Sequence, residues 1–206
     1  DYAQTQKALE PLLQKKHPRA LALAGQLSAL RGEREAASKT FRSLIDMYND
    51  GTIRDDDAQG MWAVAEAARG LGAFRDANQA FAIATRAAPT NVDIELAWVE
   101  LFLEKNDHAN AQTGLAKVLA IEPEHARALE RLARLRLDHN ASMEEVEGLL
   151  ERAEKSDPGL SSVHVTRAAI ALRDEDLAQA DRAVSRALAL NPRDLVALSV
   201  RAAVRF

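Results

Sequence analysis

Four of the six prolines in this 206-residue chain, Pro89, Pro123, Pro158 and Pro192, recur at spacings of 34, 35 and 34 residues. Each follows an apolar run with helical periodicity and precedes another: AFAIATRAAP, GLAKVLAIEP, LLERAEKSDP and RALALNP end on these four positions. Proline has no N–H to donate, and its ring clashes with the preceding turn, so it stops a helix. A chain stopped at so regular a period folds as a row of like units, each burying its apolar face against the next.

Alignment on the prolines shows the inside of the unit. Small residues stand twelve before the proline (Ala77, Ala111, Val146, Ala180), larger apolar residues eight before it (Phe81, Leu115, Leu150, Val184), and Ala84, Val118, Ala153 and Ala187 five before it. Steps of four and then three place these positions on one helix face. An earlier copy without the proline keeps Ala37, Phe41 and Leu44 at the matching places. The unit is therefore two helices, one of about 13 and one of about 15 residues, joined by a short turn. The turns carry Gly32, Gly72, Asn106-Asp107 and Asp174-Glu175. A third of the composition, 41 alanines and 27 leucines, suits this all-helical reading.

These residues resemble the tetratricopeptide repeat (TPR) family, helical hairpins of 34 residues that stack into a right-handed superhelix. The copy at 58–91 matches best, with Gly72, Phe74, Ala77, Phe81, Ala84 and Pro89 in the family's places. The first helices match less well. The family's aromatic near the unit start is replaced by Leu21, Met61, Glu95, Glu130 and His164, and the small residue of the same helix is Gly25, Ala65, Val99, Arg134 and Ala168. Arg134 fits this place worst. The resemblance implies an all-α solenoid of about five hairpins with a half unit at each end: a lone helix in 1–17, repeats at 18–51, 58–91, 92–126, 127–160 and 161–194, an insertion at 52–57, and a partial repeat or capping helix at 195–206.

The insertion makes the step from the first unit to the second 40 residues. It lies in NDGTIRDDD, where Gly51 suits a helix C-terminus and Asp55 to Asp57 suit the next N-terminus. Further on, Ser142 with Glu145 fits a capping box. The apolar helix at 195–206 ends at Phe206 without its hairpin partner. A continuing chain, or a second copy packed on the terminal helices, would cover that face.

Chemistry is sparse. The sequence has no HExxH, GxxxxGK[ST], GxGxxG or GxSxG. It has no cysteine for a thiolate site or disulfide. No two of His17, His108, His125, His139 and His164 lie three or four apart, so none makes a helical metal pair. These features predict no catalysis, cofactor or metal. The net charge of −4 argues against nucleic acid as a partner, and no apolar run reaches the length of a membrane span. The expected setting is soluble, cytoplasmic or periplasmic.

The TPR resemblance implies that the first helices line a concave groove. Its second, fifth, ninth, twelfth and thirteenth unit positions then face a ligand, Arg19, Gln26 and Glu104 among them. The candidate partner-binding residues are Trp62, Glu66, Arg69, Leu96, Glu100, Leu103, Arg131 and Leu135. A rigid indole with one N–H donor, beside leucines and mixed charge, suits a peptide or a partner protein. Trp98 is expected in the core. Some family members clamp a C-terminal carboxylate with lysine and asparagine. The matching places hold Ala22, Gln26, Trp62 and Glu66, so no such clamp is expected. The function implied is a non-catalytic protein-interaction scaffold. The alternative is a regulatory or substrate-presenting arm of a larger enzyme, since the Ala/Arg-rich style resembles bacterial multidomain proteins in which such arrays precede a peptidase-like domain.

Overall fold

The computed structural model describes residues 2–205; Asp1 and Phe206, the outermost residues of the segments 1–17 and 195–206, lie outside the described residues. Twelve helices are present among them: α1 (Tyr2–Gln14), α2 (Pro18–Leu30), α3 (Arg34–Asn49), α4 (Ala58–Gly70), α5 (Phe74–Ala87), α6 (Val92–Glu104), α7 (His108–Ile121), α8 (Ala126–Asp138), α9 (Met143–Ser156), α10 (Ser161–Arg173), α11 (Leu177–Leu190) and α12 (Leu195–Arg205). They fall into two compact units, Asp1–Asp107 and His108–Phe206.

The periodic positions of the second helices build the core in both units. Ala37, Phe41 and Leu44 on α3, Ala77, Phe81 and Ala84 on α5, and their counterparts on α7, α9 and α11 are all 3% exposed or less. In the first unit the Phe41 ring wedges between α2 and α4 at the two places where a side chain is missing. A Cβ on Gly25 or on Gly70 would strike that ring. Close approach, not backbone freedom, is what these two glycines supply.

The three-residue turns share one device. Gly32, Gly72, Asn106 and Glu175 have φ values of 80°, 77°, 56° and 60°, and Asn140 repeats it at 56° in the α8–α9 turn. This left-handed residue reverses the chain after the last helical turn. The α8–α9 turn is longer than the others by one residue, because α8 begins at Ala126 rather than at Arg127. The surplus of the 35-residue step therefore lies in that turn. This corrects the register of the fourth first-helix: the small crossing residue is Ala133, buried, and Arg134 is exposed.

The loop of the 40-residue step is pinned to the first unit. Ile53 is 2% exposed and sits against Gly60. Asp57 caps α4 by accepting from the Gly60 N–H at 2.9 Å. Asp55 instead accepts from the Tyr48 hydroxyl at 3.1 Å, and Asp56 pairs with Arg54 at 3.4 Å. The three aspartates thus serve three separate contacts. Ser142 caps α9 by accepting from the Glu145 N–H at 3.2 Å. No described helix is long and apolar enough to cross a membrane.

Candidate partner-binding face

In the first unit, α4 presents Trp62, Glu66 and Arg69 at steps of four and three, one face of one helix. Glu66 is 7% exposed and ties α4 to α2. Its carboxylate accepts from Gln26 Nε2 on α2 at 2.9 Å, from Trp62 Nε1 at 3.4 Å and from Arg69 Nη1 at 3.5 Å. Arg69 in turn reaches α6, where its Nε donates to both oxygens of Glu104 at 3.0 and 3.1 Å and its Nη2 also bonds Glu104. The result is a ladder of side chains from α2 through α4 to α6. Burial works against the Arg69 charge, but the hydrogen bonds to Glu104 and the charges of Glu66, Glu104 and Glu100 outweigh it and raise the guanidinium's pKa.

Trp62 is half-buried at the edge of the apolar cluster, and the Arg19 guanidinium lies over its ring, 3.3 Å from the centroid. Burial lowers the pKa of Arg19, opposed by the charges of Glu66 and Asp93. Its Nη1 is buried without a hydrogen-bond partner. Beside the ladder, Gln26, Ala29, Leu30, Phe41, Glu66, Arg69 and Gly70 line an open cavity of about 450 Å³. Leu30 stands 69% exposed at its rim.

The other predicted residues are placed less uniformly. Leu96 is buried at 4% exposure, whereas Glu100 and Leu103 are half-buried on α6. Glu100 acts on Arg69 through its charge, while Glu104 makes the hydrogen bonds. Arg131 and Leu135 belong to the second unit. There Arg131 pairs with Glu130 at 2.6 Å, and Leu135 is 3% exposed. Glu130, 1% exposed beside the fully buried Leu129 that takes the family's aromatic place in the corrected register, also accepts from Thr166 at 2.7 Å. Trp98 is half-buried, its Nε1 donating to Asn78 at 2.8 Å, with Phe102 at 5.2 Å between ring centroids. Arg19, Gln26 and Glu104, outside the candidate set, are the residues that contact Trp62, Glu66 and Arg69. The register alone places them on the same face.

No family model and no curated protein matches the sequence. Solved structures do match. TTC0263, a thermophilic TPR protein from Thermus thermophilus, superposes with a TM-score of 0.70 at 17% identity, covering 93% of this chain and 99% of that one. The chain has the tetratricopeptide-repeat fold. PilF of Pseudomonas aeruginosa gives 0.65 at 15% identity over 93% of this TPR chain and 84% of its own. YrrB, described as a TPR protein with an unusual peptide-binding site, gives 0.54 at 14% identity over 98% and 100%. At these identities the likeness speaks to the TPR fold.

Proposed function

We propose that this protein is a non-catalytic interaction scaffold, and that its first unit holds a peptide or a segment of a partner protein along the face shared by α2, α4 and α6. The observation that carries this reading is the ladder Gln26–Glu66–Arg69–Glu104 with Trp62 at its edge. It fixes charged and aromatic side chains of three helices in one orientation, so a ligand meets a preorganised surface and little side-chain freedom is lost on binding. Leu30 and the neighbouring cavity supply an apolar foothold, and Trp62 an anchor of the kind that dominates interface energies. The peptide-binding site of YrrB, on the same fold, supports the class of ligand.

The test is a peptide-display selection against the full chain, followed by titration of the selected peptide. The double variant Trp62→Ala with Glu100→Arg is expected to weaken binding at least about tenfold, a change of roughly 1.4 kcal/mol, while its circular dichroism matches the parent. Unchanged affinity in the folded variant places the site off this face.

A further inference from the structure

We propose that His108 and His139 together form a binding site for a divalent transition-metal ion of the kind that prefers imidazole, Zn²⁺, Ni²⁺ or Cu²⁺. His108 opens α7, His139 caps the C-terminus of α8, and these two helices pack together within the second unit. Nδ1 of His108 and Nε2 of His139 stand 3.1 Å apart, with the rings almost perpendicular at 89° and their centroids 5.0 Å apart. Two nitrogens at that separation, each about 2.05 Å from one ion, subtend about 98° there, close to the ligand angles of tetrahedral and octahedral coordination. Neutral imidazoles at the same distance share a single hydrogen bond. An ion takes the place of that bridging proton, and each ring then carries its N–H on the far nitrogen.

Both side chains are held at helix ends, so binding requires no ordering of the chain. Among the described residues no group of three or more histidine, cysteine, aspartate or glutamate side chains is placed to hold a metal. Water therefore fills the remaining positions. Imidazole selects the ions named over Mg²⁺ and Ca²⁺, which take oxygen ligands.

Isothermal titration of the full chain, without a polyhistidine tag, tests this with NiCl₂, ZnCl₂ and, as the oxygen-preferring control, MgCl₂. One saturable site is expected for nickel and zinc and none for magnesium. His108→Gln and His139→Gln, each shown to be folded by circular dichroism, are each expected to weaken it by at least the roughly 10–100-fold that loss of an outer-shell partner costs a metal site. The double variant measures binding at His17, His125 and His164. Proton–nitrogen correlation spectra of the parent should shift at His108 Nδ1 and His139 Nε2 on adding zinc. No saturable site, a site unchanged in either single variant, or shifts confined to the other three histidines overturns the proposal.

Discussion

Three donors converge on the buried carboxylate of Glu66, and removing that acceptor strands all of them: Gln26 Nε2, Trp62 Nε1 and Arg69 Nη1. An unsatisfied buried polar group costs about 1–3 kcal/mol. Glu66→Ala is therefore expected to lower the unfolding free energy by that order, and Glu66→Gln by less, because an acceptor oxygen remains. Urea unfolding of both variants checks this, and equal losses would remove the acceptor from the explanation. A second residue-scale effect concerns pH. Burial pushes the pKa of His164 down, the charges of Arg167 and Arg186 push the same way, and Glu154, 3.7 Å away, opposes them. The unfolded chain then binds the proton more readily than the folded one. Stability present above the ordinary imidazole value of about 6.5 is lost as pH falls below it. His164→Leu should flatten the fall in urea midpoint between neutral and mildly acidic pH, and an undiminished slope would assign the effect to other groups. Neither role was legible in residue type. Glu66 was expected to face a ligand rather than to gather three donors, and His164 merely replaced an aromatic. What makes them matter is burial beside particular partners, which spacing along the chain does not encode.

At the scale of the element, the second helices were readable in full. Their apolar steps of four and three fix one buried face, and every one of those positions is buried. The first helices were harder to read. Glu130 and His164 are tolerated there because Thr166 on α10 and the adjacent Arg131 compensate the first, and Glu154 on α9 the second. The fourth first-helix also came out one residue late, since a surplus residue leaves no mark of its own in a helical pattern. The same holds for the candidate face: α4's contribution follows from its period, whereas Leu96 and Leu135, assigned by register, are buried. The turns offer the sharpest element-level prediction. Glu175 occupies the left-handed conformation that Gly32 and Gly72 hold in the first unit, and a side chain there costs about 1–2 kcal/mol. The greater freedom of an unfolded glycine offsets part of this. Glu175→Gly is expected to stabilise the chain by up to about 1 kcal/mol in denaturant unfolding. A loss of stability would mean that the Glu175 side chain makes a contribution of its own.

Within each of the two units, helices pack mainly against their neighbours in sequence, so a local change is felt locally unless it alters the phase of a helix. One inserted alanine in the α8–α9 turn, after Ala141, should shift thermal unfolding little. The same alanine inserted within α9, after Leu149, rotates the rest of that helix by about 100° and carries Leu150 and Ala153 off the buried face. That variant should lose cooperative unfolding in calorimetry; if both insertions behave alike, the helix phase is not what holds the second unit together. The extra residue already present between Asp138 and Met143 can be viewed in the same light. Written in the gene it is a single codon, carried where a tandem array can accept it without losing its place. Lineages of such arrays are thus free to vary their punctuation one codon at a time, and each such change re-aims only the side chains at a hairpin's tip, where His139 now stands.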